Sequence, residues 1–463
     1  MKAVTTGATR YRRLGMLDAM RLFAALSVLA FHYTARNSPG WDGAPPASLA
    51  GVGQWASYGR LGVPLFFVIS GFVMLMSAWG KDVPSFVASR VGRLFPAYWV
   101  AVAFSIVLVL RVWPENPAFL GHPITTSGGL LNFTMFQTAF GVPDVDGPYW
   151  TLWYEARFYA LIGVLMVIGI TRARVLAFCA LWPVIGAVAA GAQANMLSTV
   201  LMPDYAPFFA GGMLLYLLYR DGHDLGTWLL LGLQGVIALN YTVSVYPGLL
   251  TLETPYPPSK ALIALATAAC FGLVALVTLT PLARIDMRWM AVAGALTYPL
   301  YLVHENLGWY VIHLMRDQVS PWTAVLCATG AALVAAVALH HLVEKPLGPR
   351  LRAATLTMFE RAPRARVDPT PVAATPVPTD VPVAADLPVA GAAPVVPPSP
   401  PHPVAPVLPG DQLQDLDTTA WPLVHTSSDE QSSRKVPTPR LDRPSATAAA
   451  PTREPRLSTS VQS

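Results

Sequence analysis

The fold class this sequence predicts is an all-α, polytopic membrane bundle of about ten transmembrane helices with a disordered proline-rich tail, and three observations predict it. Of the 463 residues, 54% are hydrophobic and only 12% are charged, where a soluble domain carries roughly 25%. Apolar runs long enough to cross a bilayer, about 20 residues as helix, recur from Leu17 to Leu342. Beyond Arg352 the composition changes, with 21 of the 44 prolines in the last 111 residues.

The runs fall at 17–35, 61–79, 94–112, 150–171, 173–191, 200–220, 226–245, 260–281, 291–313 and 320–342. The first follows Arg10, Arg12 and Arg13 as a signal peptide would. It contains Asp18, Arg21 and His32 and lacks a small-residue cleavage pattern, so it reads as a retained helix. Pro183, Pro203 and Pro207 interrupt or border the fifth and sixth runs, which a membrane helix tolerates where neighbours satisfy the freed carbonyls. Alternate loops collect 15 basic residues on one side and only Arg36, Arg60, Arg111, Lys260 and Arg316 on the other. Since Lys and Arg accumulate on the cytoplasmic side, both termini are predicted to be cytoplasmic. Residues 1–352 form the membrane domain of this reading. Residues 353–463, with segments such as PPSPPHP at 397–403, form a tail that cannot pack a core and acts as a spacer, or docks a partner. The non-cytoplasmic loops 36–60 and 113–149, the latter with Trp113, His122, Asp144 and Asp146, either shape a substrate entrance or simply cover the bundle.

Several functions are excluded. The formal charge is +5, but residues 1–352 hold 22 Lys/Arg against 15 Asp/Glu and the rest 9 against 11. The basicity therefore belongs to the membrane part and does not point to nucleic acid. Cys179, Cys270 and Cys327 lie singly in apolar runs and imply neither disulfides nor zinc. No His/Asp/Glu set has metal-site spacing, and no phosphate-binding glycine loop or nucleophile elbow is present.

Ionisable groups within a bilayer are costly and ordinarily face a bundle interior or a cavity. In the first run, helical geometry puts His32 about 20° from Arg21 and about 40° from Asp18, so the three share a face. Arg21 and His32 are about 16 Å apart along the axis, while Asp18 and Arg21 can pair. An imidazole titrating near neutral pH suits a general base; a hydrogen-bonded packing residue is the other reading of His32. Glu155, inside the fourth helix, either forms an interhelical ion pair or serves the site by orienting His32 or binding a hydroxyl. Trp150 and Trp153 are stacking surface for a ligand or interface anchors. His304, with Glu305 beside it and Tyr298 and Tyr301 nearby, is the second catalytic candidate. Glu344 and Lys345, before Pro346, mark the end of the last helix, and Gly62, Ser70 and Gly71 read as close helix packing.

Six segments in order resemble the acyltransferase family 3 membrane proteins: LDAMRLFAALSVLAFH (17–32), GVPLFFVISGF (62–72), SRVGRLFPAYW (89–99), YWTLWYEARFYAL (149–161), LTYPLYLVHENL (296–307) and LVEKPL (342–347). The resemblance covers residues 14–350. It implies an integral membrane O-acyltransferase in the inner membrane, which moves an acyl group, commonly acetyl, from cytoplasmic acyl-CoA to a hydroxyl of a saccharide or related acceptor. The His of the first motif is held to be catalytic in that family, which points to His32, with Glu155 and Asp18 as further catalytic candidates. Arg21, Arg90 and Arg93 would bind the phosphates of the donor through guanidinium hydrogen bonds. Trp150, Trp153, Tyr301 and His304 would contact the acceptor. A transporter or channel, with Asp18, Arg21, His32 and Glu155 along a permeation path, is the rival reading.

Overall fold

The computed structural model describes residues 13–115 and 124–361. His122 and the tail from residue 362 onward lie outside them. Among the described residues the regular structure is helical, with no strand. The order begins α1 (Gly15–Ala30), α2 (Ala50–Ala56), α3 (Gly62–Ala78), α4 (Val83–Val107) and α5 (Thr126–Asn132). It continues with α6 (Trp150–Ile168), α7 (Arg172–Gly191), α8 (Asn195–Leu201), α9 (Ala206–Asp221) and α10 (Leu225–Glu253). The last four are α11 (Lys260–Leu279), α12 (Arg288–Met315), α13 (Pro321–Leu339) and α14 (Lys345–Arg361).

Nine helical segments among the described residues are long and apolar enough to cross a membrane. The tenth predicted span is α12, whose 28 residues extend about 42 Å at 1.5 Å per residue, longer than a bilayer core of about 30 Å. His304, Glu305 and Asn306 lower its hydropathy, and all three are buried by neighbouring helices rather than turned to lipid. At the centre, every residue of α9 from Ala206 to Leu218 is buried, as expected of a helix that is apolar on all sides. It crosses α3 where two glycines let the backbones touch: a β-carbon at Gly212 would come within 2.8 Å of the Phe72 nitrogen, and one at Gly71 within 3.1 Å of the Gly212 Cα.

Four boundaries differ from the sequence reading. The third span begins at Val83 rather than 94, because Asp82 is extended and Pro84 fits a first helical turn; Arg90 and Arg93 therefore lie well inside α4 rather than at its start. The run at 200–220 is broken at Met202, which adopts a left-handed conformation (φ 43°, ψ 59°) before Pro203. Proline disfavours the α conformation in its predecessor, and this separates α8 from α9. Helicity does not end at Glu344–Lys345. A π turn, His340–Glu344, leads into α14, which places Pro346 in its first turn and runs to Arg361, past the boundary drawn after Arg352. This helix docks on α4 through Gly92 and Gly348, where a β-carbon on Gly92 would sit 2.6 Å from the Gly348 carbonyl.

Candidate active site

The site is built at the far end of α1. After Ala30 the helix widens into a π turn, Phe31–Ala35, closed by the Arg36 N–H donating to the Phe31 carbonyl at 2.9 Å. Such single π turns recur at functional sites. Side chains from elsewhere take the carbonyls of this turn: the Trp309 indole donates to His32 O at 3.0 Å and the Trp41 indole to Tyr33 O at 2.8 Å. The Tyr33 hydroxyl in turn donates to His304 O at 2.5 Å, which ties the turn to α12.

The His32 Nδ1 lies 2.9 Å from Glu305 Oε2, and Arg36 donates to Glu305 Oε1 at 3.1 Å. Arg36 also approaches Nδ1, at 3.5 Å. His32 Nδ1 thus faces the Glu305 carboxylate and the Arg36 guanidinium together. Nε2 makes no hydrogen bond among the described residues. An imidazole oriented by a buried carboxylate is the arrangement that lets a histidine act as general base, because the carboxylate stabilises the imidazolium as it forms.

Glu305 is only 1% exposed and is held by the 113–149 loop as well as by its ion partners. The described part of the loop, residues 124–149, is folded: Asn132 donates to the carbonyls of Gly128 and Pro143 and accepts from Val145 N, while Asn306 donates to Val145 O at 2.9 Å. This packs Gly147 directly against the Glu305 carboxylate. In the same loop Gln137 donates to Asp144 at 2.5 Å and Ser105 to Asp146 at 3.0 Å. Burial pushes the Asp144 carboxyl up to about 6, against the opposing pull of the Gln137 hydrogen bond.

Two cavities meet in the bundle. The outer one is lined by His32, Arg36, Arg60, Trp150, Glu253 and Glu305, with Gly147 and Pro148 from the loop. Arg60 and Glu253 form an ion pair on its wall, so the two arginines and two glutamates balance. The inner cavity is lined by Arg21, Arg90, Arg93, Ser70, Glu155 and Tyr159 among others. Three guanidiniums there face one carboxylate, and Glu155 already accepts from Tyr159 and from Ser70, the latter at 3.3 Å. The Arg90 Nε is buried without a hydrogen-bond partner, an unmet donor that an anion would satisfy.

The predicted residues thus divide between the cavities. Arg21, Arg90, Arg93 and Glu155 line the inner one, His32 and Trp150 the outer, and Tyr301 both. Four expectations are corrected. Glu155 does not orient His32; Glu305 does, because α12 and not α6 faces the π turn. Asp18 lines neither cavity and is ion-paired with Arg13 at 2.7 Å and Arg21 at 3.7 Å. Trp153 packs on Phe136 and under the Arg157 guanidinium, away from both cavities. His304 is buried behind His32, its ring centroid 5.1 Å away and its Nδ1 2.9 Å from Tyr301 O, with no surface on either cavity. Ser70, read as packing, faces the inner cavity. Arg36, Arg60, Glu253 and Gly147 were missed. Arg36 is four residues beyond His32, a spacing that signals a shared face once the helix is known to continue past Ala30.

The helical membrane bundle thus carries a carboxylate-supported imidazole on one of two polar cavities. The chain belongs to the acyltransferase 3 family, whose acyltransferase domain matches residues 15–341, and it is a multi-pass membrane protein. It is 27% identical over 196 residues to YrhL of Bacillus subtilis (strain 168), provisionally named a peptidoglycan O-acetyltransferase, a match covering 38% of this chain and 28% of YrhL. It is 26% identical to the peptidoglycan O-acetyltransferase OatA of Listeria monocytogenes serovar 1/2a (strain ATCC BAA-679 / EGD-e), over 33% of this chain and 24% of OatA. With the acyltransferase MdmB of Streptomyces mycarofaciens it shares 26% identity over 75% of this chain and 95% of MdmB. The matches thus span about a quarter of the two peptidoglycan enzymes and nearly all of MdmB. No solved structure matches significantly.

Proposed function

We propose that this protein moves a short acyl group from acyl-CoA, bound in the inner cavity from the cytoplasmic side, to a hydroxyl of a saccharide or similar acceptor in the outer cavity. The observation that carries the proposal is the pair His32–Glu305 opening on a charge-balanced cavity at one end of α1, with a cavity of excess positive charge at the other. The three guanidiniums and the unpaired Arg90 Nε suit the phosphates of a CoA donor. The outer wall, with Arg36 and Arg60 offset by Glu253 and Glu305 and with Trp150 beside them, suits an uncharged, hydroxyl-rich acceptor. The basic bias of the loops at the Arg21 end supports a cytoplasmic donor side and both termini in the cytoplasm of a cell whose inner membrane holds the bundle. The peptidoglycan O-acetyltransferase relatives support a saccharide acceptor and an acetyl group.

In this reaction His32 Nε2 takes the proton of the acceptor hydroxyl as its oxygen attacks the thioester carbonyl. The C–O bond forms, the C–S bond breaks, and the imidazolium, stabilised by Glu305, returns the proton to the departing thiolate. The products are the acyl ester and CoA thiol. The test is purified full-length protein in nanodiscs, given labelled acetyl-CoA and an oligosaccharide. Base-labile label on the saccharide, absent in His32→Ala, is the expected result. Wild-type protein that consumes no acetyl-CoA and labels no saccharide overturns the proposal.

A further inference from the structure

Only two lining side chains belong to both cavities, Val63 in the first turn of α3 and Tyr301 at the middle of α12. Tyr301 is held in that position from both sides. Its hydroxyl lies 2.8 Å from Thr151 Oγ1, on the inner wall, and donates to the Pro148 carbonyl, on the outer wall, at 3.2 Å. Its ring stands edge-on to Phe66, with centroids 5.8 Å apart. Val63 and Tyr301 are 6% and 8% exposed. The two side chains shared by the cavities are thus nearly buried, and Tyr301 is anchored through its hydroxyl.

We propose that Val63 and Tyr301 form the septum that limits which acyl chains pass from the donor cavity to His32, restricting the enzyme to two- or three-carbon acyl groups. The inference rests on the proposed reaction and adds to it the residues that choose the acyl chain. An anionic CoA headgroup held by Arg21, Arg90 and Arg93 must present its thioester across this septum, because His32 borders only the outer cavity. Val63 and Tyr301 both border the two cavities, so a thioester that reaches His32 passes these side chains. Each further methylene must displace a side chain anchored by its hydroxyl. A tight apolar slot discriminates about 10–200-fold per methylene.

The test compares kcat/KM for acetyl-CoA and butyryl-CoA in full-length protein in nanodiscs. Wild type is expected to prefer acetyl by at least about 100-fold. Tyr301→Ala and Val63→Ala are each expected to raise the butyryl-to-acetyl ratio at least about 10-fold, and Tyr301→Phe, which keeps the ring, to change it less than about 3-fold. Val63→Ala and Val63→Phe provide an independent reading should Tyr301→Ala not fold: the first widens the slot, and the second lowers the ratio further. A ratio unmoved in both alanine variants while acetyl transfer persists overturns the septum alone. Wild-type protein that consumes no thioester of either length overturns the proposed reaction together with the septum.

Discussion

The backbone of Gly147 lies so close to the Glu305 carboxylate that a β-carbon at that position would come within 2.6 Å of the carboxyl carbon. Glu305 has no slack with which to retreat, since its two oxygens are committed to His32 and Arg36. Gly147→Ala is therefore expected to displace the carboxylate and, through it, the imidazole. Misplacement by about 1 Å can cost 10²-fold in rate, so kcat should fall about 100-fold while the KM for acyl-CoA, set in the other cavity, stays within about 3-fold. Steady-state kinetics on the folded variant check this.

Glu305→Gln retains the shape of the side chain and removes the charge that stabilises the imidazolium. A loss of about 10²–10⁴-fold in kcat is expected. Glu155→Gln, which changes a carboxylate with no contact to His32, should lower kcat far less and act mainly on donor KM. Equal losses of kcat in the two variants would contradict the assignment of Glu305 as the partner of His32.

Arg90→Ala and Arg93→Ala remove guanidiniums from the inner cavity without touching the outer. Each is expected to raise the KM for acyl-CoA about 10-fold or more, at about 1.5–3 kcal/mol per charged hydrogen bond lost, with the acceptor KM unchanged. Titration of acyl-CoA at saturating acceptor, and the reverse, separates the two effects.

The Asp144 carboxyl, raised to about 6 by burial, sets a pH dependence of stability. Its pKa in the folded protein exceeds the unfolded value, so the folded state binds the proton more tightly. Its contribution is most favourable below about pH 4 and declines as pH rises through about 6, by about 1–3 kcal/mol in all. Thermal midpoints in detergent should fall for this reason between pH 5 and 7. Asp144→Asn, which cannot ionise and still accepts from Gln137, should flatten that part of the profile and raise the midpoint at pH 7.

The sequence was most legible where composition and period carry the information. Nine membrane-crossing segments among the described residues, and α12, emerged from apolar runs, and nine of the eleven steps between Arg21 and His32 lie in regular α-helix. What escaped were features with no local signature. The partner of His32 lies 273 positions away and was seen in sequence only as a polar residue beside a histidine. Which of Glu155 and Glu305 meets the imidazole depends on whether α6 or α12 packs on the end of α1, and periodicity does not encode that choice. The polar first turns of α4, with Arg90 and Arg93, were lost for a related reason: an amphipathic helix entrance dilutes the hydropathy by which spans are recognised. Gly147 reads as a loop glycine until a carboxylate is found against it.

The wide turn at Phe31–Ala35 ends the first helix, and Arg36 beyond it is extended. The His32 and Tyr33 carbonyls are secured by the Trp309 and Trp41 indoles, and the Arg36 amide closes the turn on Phe31. Deletion of a single residue there would let α1 close into ordinary helix and still span the membrane, while swinging Arg36 about 100° around the axis and away from Glu305. A one-residue deletion in this turn is therefore expected to cost the proposed activity while the bundle still spans the membrane.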